Sequence, residues 1–236
     1  MAASTADPRS PVRTRPPASL RDTEAWVFDL DNTLYSSAFN LFQQIDERMR
    51  RYIADFLGLA LDDAYRLQKQ YFQEYGTSLS GLMTRHGMDP LPFLAHVHEI
   101  DVTVLPPSPE LDAALARLPG RKIIFTNASQ RHAERITERL GIARHFDAVF
   151  DIVDTNFVPK PAPEGYASLV RRFRLDPGAT VMVEDIARNL APAAALGMTT
   201  VWIRNEAEHG RHGLDEVAID HVVDDLAQWL AAVTCG

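Results

Sequence analysis

Five short apolar runs, at 25–30, 122–126, 148–151, 180–184 and 199–203, constrain the fold of this 236-residue chain more than any other feature. Each has the length of one buried strand, and the stretches between the later ones carry apolar residues at helical spacing. Segment 130–140 is the clearest case: Ala133, Ile136 and Leu140 share one face, and Gly141 supplies a stop. Further helices are expected at 109–118, 162–173 and 187–196. Strands alternating with helices in this way build a parallel sheet covered on both faces, because parallel neighbours need long crossovers.

The alternation is interrupted directly after the first strand. Between 36 and 104 no segment alternates like a strand. Phe42, Ile45, Met49, Tyr52, Ile53 and Phe56 predict a helix over 38–57 with Gly58 as its cap. A second helix is expected from 61 to 75, stopped by Gly76, and shorter ones at 79–86 and 91–98. Leu226, Trp229, Leu230 and Val233 predict a packing helix at the far end, and no internal repeat is evident.

Composition excludes several classes. A formal charge of -8 argues against broad attraction to a nucleic-acid polymer or an anionic membrane, and no apolar stretch is long enough to cross a bilayer. Cys235 is the single cysteine, so intramolecular disulfides and zinc–thiolate clusters are excluded and a reducing cytoplasm fits. Prolines at 8, 11, 16 and 17 make 1–22 an expected flexible tail rather than a secretory signal. Arg171, Arg172 and Arg174 form a basic run too small to imply nucleic acid. His86, His96 and His98 lack metal-ligand spacing and read as surface or local hydrogen-bonding residues.

Ligands of open parallel sheets gather beyond the strands' C-terminal ends. The conspicuous polar residues fall there: Asp29 and Asp31 after the first strand, Thr126 and Asn127 after the second, Lys160 after the third, Glu184 and Asp185 after the fourth. Each has an ordinary alternative. An Asp-x-Asp pair can be a solvated turn, Thr-Asn or one of the later acids a helix N-cap, and a lysine between prolines a solvated loop residue. Together they would gather four carboxylates and one lysine in a small volume. A divalent cation relieves that repulsion, and an all-oxygen donor set without clustered His or Cys favours Mg2+ over zinc.

Four motifs occur in order: Phe28-Asp29-Leu30-Asp31-Asn32-Thr33-Leu34, Phe125-Thr126-Asn127, Pro159-Lys160-Pro161 and Val183-Glu184-Asp185-Ile186-Ala187-Arg188-Asn189-Leu190. Their order and spacing, from about residue 24 to 205, resemble the haloacid dehalogenase-like phosphohydrolase superfamily. The text at 28–36, 121–127 and 182–190 is similar to its pyrimidine 5'-nucleotidase branch. The fold class so implied is α/β, a Rossmann-like parallel sheet covered by helices at 23–35 and 105–236, with an all-helical cap at 36–104.

The resemblance implies a division of labour. Asp29 is the nucleophile and forms an aspartyl-phosphate; Asp31 exchanges protons with leaving group and water, and its backbone carbonyl contacts Mg2+. Thr126 holds phosphate, Asn127 contributes through its backbone, and Lys160 holds both phosphate and Asp29. Asp185 is a metal ligand, and Glu184 binds directly or through water. Many relatives carry two aspartates or Gly-Asp where this chain has Glu-Asp, which leaves the inner ligand set open. Asn189 would orient ligands or Lys160.

The implied activity is Mg2+-dependent hydrolysis of a small phosphorylated metabolite, a nucleoside monophosphate such as UMP or CMP. A homo-oligomer is left open. The rivals are a phosphoglycolate or sugar-phosphate phosphatase, a 2-haloacid dehalogenase, and a phospho-accepting signalling module without turnover. The leaving group would be chosen by the cap, where Tyr35, Phe39 and Gln43 rank first by position, followed by the loop 75–78.

Overall fold

The computed structural model describes Leu20, residues 22–204, Gly210, Val217 and residues 219–234. Most of the tail expected at 1–22 lies outside the described residues, as does Cys235. Among the described residues, six strands form one parallel sheet: β1 (Ala25–Phe28), β2 (Arg121–Phe125), β3 (Ala148–Phe150), β4 (Thr180–Glu184), β5 (Thr199–Ile203) and β6 (His221–Val223), in the order β3-β2-β1-β4-β5-β6. β1 is central, pairing Phe28 with Ile124 of β2 and with Val183 of β4. The sequence reading missed β6, a three-residue edge strand too short to show alternation.

Successive residues of a strand face opposite sides, and here both sides are buried. Trp26, Phe28, Ile124, Val181 and Val183 join one core cluster; Ala25, Val27, Ile123, Phe125 and Met182 join the other. Helices α5 (Pro109–Arg117), α6 (Gln130–Leu140) and α9 (Leu226–Val233) cover the first face. α7 (Pro163–Phe173) and α8 (Ala191–Leu196) cover the second. The terminal helix packs through buried Leu226 and Leu230, as expected for a packing helix.

Between β1 and α5 the chain forms α1 (Leu41–Leu57), α2 (Leu61–Tyr75), α3 (Ser78–His86) and α4 (Pro90–Val97), an inserted helical cap. The helix expected from 38 begins three residues late. Asn40 has φ 56°, a left-handed conformation that an α-helix cannot contain, so Ser37–Phe39 form a separate 3-10 turn. The cap's core residues Leu41, Ile45, Ile53, Leu82 and Phe93 are continuous with the cluster on the first sheet face.

The helix expected over 187–196 is also divided, into a 3-10 turn at Ala187–Leu190 and α8. Pro192 explains the break: it has no N–H to give the Arg188 carbonyl, which accepts from Ala191 N instead. Among the described residues no helix is long and apolar enough to cross a membrane.

Candidate active site

β1 delivers Asp29 to the C-terminal edge of the sheet. Its N–H donates to Val183 O at 2.9 Å, one step beyond the strand, so the backbone is still held by β4. The chain then turns: Leu34 N donates to Leu30 O at 3.0 Å, and Asn32 adopts φ 62°, which asparagine tolerates better than most residues. This turn swings Thr33 back, and its hydroxyl donates to Asp29 Oδ2 at 3.0 Å. Thr33 lies inside the first motif, yet only the turn reveals its contact.

Lys160 is the hub of the site. It is 3% exposed, and its ammonium donates to Asp29 Oδ1 at 2.6 Å, Glu184 Oε2 at 2.6 Å and Phe125 O at 2.9 Å. An ammonium has three hydrogens, so all are used. Burial alone would lower the lysine's pKa, but Asp29 and Glu184 outweigh it and hold the group above the ordinary lysine value. The backbone is clamped too: Lys160 N donates to Asn127 Oδ1 at 2.8 Å, and Asn127 Nδ2 donates to Lys160 O at 3.4 Å. The Asn127 amide is therefore engaged with the Lys160 loop.

Glu184 and Asp185 are buried at the end of β4. Glu184 Oε1 accepts from Ile186 N at 3.2 Å, and the Asp185 carbonyl accepts from Trp202 Nε1 at 2.8 Å. Neither caps the following turn, whose N-cap is Ile186 with no side-chain bond. One carboxylate oxygen from each of Asp29, Glu184 and Asp185 lies within 4.8 Å of the others. Three acids against one ammonium leave the pocket short of positive charge. Burial and the Glu184 charge accordingly push Asp29 up to about 7 despite Lys160.

Thr126 is 1% exposed at the end of β2. Its N–H donates to Phe150 O at 3.1 Å and its Oγ1 accepts from Ala128 N at 3.0 Å. Ser129, rather than Thr126 or Asn127, caps α6. Asn189 is not among the partners of Lys160. Its carbonyl accepts from the Tyr166 hydroxyl at 2.5 Å, and its buried Oδ1 has no hydrogen-bond partner among the described residues.

Asp31 sits apart from this hub, and its surroundings were the least foreseen. Its Oδ1 accepts from the Tyr35 hydroxyl at 2.6 Å and from His132 Nε2 at 2.9 Å. Burial would raise the Asp31 pKa, but the two donors, His132 foremost, bring it down to about 2. His132 is fully buried in the first turn of α6. Its signal in the sequence was a histidine on the same helical face as Ile136, and nothing local linked it to a residue 101 positions away.

His98 departs from its expectation as a surface or local hydrogen-bonding residue: it is half-buried, and its hydrogen-bond partner lies 31 positions away. Its ring stacks on His132 with centroids 4.5 Å apart, its Nδ1 meets Ser129 Oγ at 2.9 Å, and burial pushes its pKa down to about 3. His86 keeps the local role expected of it, bonded to the Tyr71 hydroxyl at 2.8 Å. Of the cap side chains ranked first, Tyr35 is engaged by Asp31, while Phe39 and Gln43 are exposed. Phe72 instead faces the core, with the Arg188 guanidinium 5.3 Å from its ring centre.

Known proteins share this framework. A curated relative, Phosphate metabolism protein 8 of Saccharomyces cerevisiae, is 28% identical over 193 residues covering 74% of this chain, which spans 60% of that relative's length. A HAD phosphatase from Thermococcus onnurineus superposes with a TM-score of 0.60 at 19% identity, over 89% of this chain and 98% of its own. The L-2-haloacid dehalogenase from Xanthobacter autotrophicus gives 0.57 at 18% identity with the same coverage. Structures so distant in sequence speak to the fold alone. The family model of the haloacid dehalogenase-like hydrolases matches residues 23–197, from β1 through α8 and across every residue of the acid–lysine cluster, and the chain belongs to that family.

Proposed function

We propose that the chain is a Mg2+-dependent phosphomonoester hydrolase acting through an aspartyl-phosphate on Asp29. The observation that carries this reading is the buried cluster of Asp29, Glu184 and Asp185 around Lys160. Its donors are all oxygen and its charge is net negative, a fit for a small hard cation. Asp29, Asp185 and the Asp31 carbonyl, with Glu184 directly or through water, would hold Mg2+, which would offset charge on the phosphoryl oxygens.

The remaining chemistry belongs to the chain. An Asp29 carboxylate oxygen bonds to phosphorus while the bond from phosphorus to the leaving oxygen breaks. Asp31, whose carboxyl is held down to about 2 in the substrate-free chain and so must first take up a proton as substrate binds, gives that oxygen its proton. Asp31 then takes a proton from water as the water oxygen attacks the phosphorus, the bond to Asp29 breaks and inorganic phosphate departs. The Thr126 hydroxyl and the Asn127 backbone N–H serve the non-bridging oxygens. With its three hydrogens already committed, Lys160 orients Asp29 and Glu184, and it reaches phosphate only by exchanging one partner.

The observations support a broad substrate class, a small phosphorylated metabolite admitted under the cap assigned to 36–104. The name of the yeast relative, which places that protein in phosphate metabolism, supports a phosphorylated substrate. UMP and CMP are the narrower candidates, carried by the motif text alone, and phosphoglycolate or a sugar phosphate fits the acid–lysine site equally well.

Phosphate release from UMP, CMP, AMP, phosphoglycolate and hexose phosphates, with and without a chelator, tests the reading. Release that stops on chelation and returns with Mg2+ is expected. Chelator-insensitive halide release from a 2-haloacid would favour the dehalogenase, and a long-lived phospho-Asp29 without turnover the signalling module.

A further inference from the structure

Among the described residues, both hydrogen bonds to the Asp31 side chain fall on one oxygen. A carboxylate oxygen offers two in-plane lone pairs, and those of Oδ1 are filled by the Tyr35 hydroxyl at 2.6 Å and His132 Nε2 at 2.9 Å. The donors come from different elements. Tyr35 follows the tight turn that closes on Leu30, and His132 lies in the first turn of α6, where Ser129 Oγ accepts its backbone N–H at 3.4 Å. The His132 ring is fully buried, and among the described residues its Nδ1 has no partner, so the bond to Asp31 is the only hydrogen bond its side chain makes there.

His132 is also where the cap meets the catalytic edge. His98, the C-cap residue of α4, stacks on the imidazole, and its carbonyl accepts from Arg135 Nη1 of α6 at 2.7 Å. The end of the helical insertion is thus fastened to the same helical turn that grips Asp31.

We propose that Tyr35 and His132 are positioning residues that occupy Oδ1 of Asp31 and leave Oδ2 as the atom through which its proton passes, and that His98 ties this orientation to the seating of the cap. The inference rests on the aspartyl-phosphate reading above. Breaking the grip lets the carboxylate rotate, which slows proton transfer without disturbing Asp29.

The test is rapid-quench and steady-state kinetics of the full chain with Mg2+ and p-nitrophenyl phosphate. Nitrophenolate leaves without a proton, so its burst reports attack by Asp29, whereas steady-state turnover needs Asp31 to deprotonate water. Tyr35→Phe and His132→Leu are each expected to keep the burst rate while lowering turnover about 10-fold, and the double variant about 10²-fold, within the range assigned to general acid–base catalysis. His132→Gln, which retains a donor, is expected to restore part of the loss. His98→Ala should slow turnover alone, and His98→Phe, which keeps the stacked ring, should recover it.

Burst and turnover falling in parallel, or turnover unchanged in Tyr35→Phe, would overturn the positioning role, and the single-oxygen change at Tyr35 keeps the test open if a His132 variant fails to fold. Failure of His98→Phe to recover turnover would overturn the link to the cap. A wild-type chain that forms no acid-stable phosphoenzyme would instead overturn the mechanism beneath, a separate and recognisable result.

Discussion

Asp29 concentrates a charge conflict that a bound divalent cation would relieve. The residue is 7% exposed, and its carboxyl lies near Glu184 and is pushed up to about 7, whereas an aspartate in the unfolded chain titrates at about 3.9. Between those values the folded chain holds the proton longer than the unfolded one, so metal-free stability falls as pH rises through this window. Asp31 works in the opposite sense: its depressed pKa, about 2, contributes stability above the unfolded value that is lost as pH falls through 2. On the proposed reading, proton and Mg2+ would compete for Asp29. Thermal melts are therefore expected to show a larger Mg2+-induced rise at pH 8 than at pH 5, approaching about 2.7 kcal/mol at 100 times the dissociation constant. Asp29→Asn should remove most of the metal-free decline between pH 5 and 8. Equal Mg2+ shifts at both pH values would contradict this assignment of the strain.

At the scale of elements, strand placement depends on a few backbone positions. Gly120 precedes β2 with φ 75°, and a Cβ there would run into the Glu24 carbonyl, which accepts from Arg121 N at 3.0 Å. Gly120→Ala would therefore spread the entrances of β1 and β2. We expect a loss of about 2–4 kcal/mol, combining left-handed strain with overpacking. A lowered urea midpoint with an unchanged slope would report it, and an unaltered midpoint would show that the strands do not depend on this approach. The central strands and α6 were legible beforehand, because apolar periodicity is a local property. The three-residue β6 and the division at Pro192 were not, since a short edge strand and a 3-10 turn leave no period to read.

For the whole molecule, the distinction between legible and hidden follows how far a contact reaches along the chain. Asp29, Lys160, Glu184 and Asp185 were expected to converge because each follows a strand of one parallel sheet, and the sheet does bring them together. The partners that fix Asp31 were hidden for a different reason. His132 reaches it across 101 residues from a helix that otherwise reads as packing, and His98 reaches His132 from the cap. The sheet edge carries the acid–lysine cluster, while the helical insertion reaches that edge through the His98–His132 stack beside Asp31 and through the Phe72–Arg188 contact.

The central claim, that Asp29 carries the phosphoryl group, has one direct measurement: acid-quenched turnover with labelled substrate and Mg2+, followed by mapping of the labelled peptide. The mechanism predicts an acyl-phosphate on Asp29 in the wild-type chain and none in Asp29→Asn. A label on another residue, or one that survives in Asp29→Asn, would contradict it.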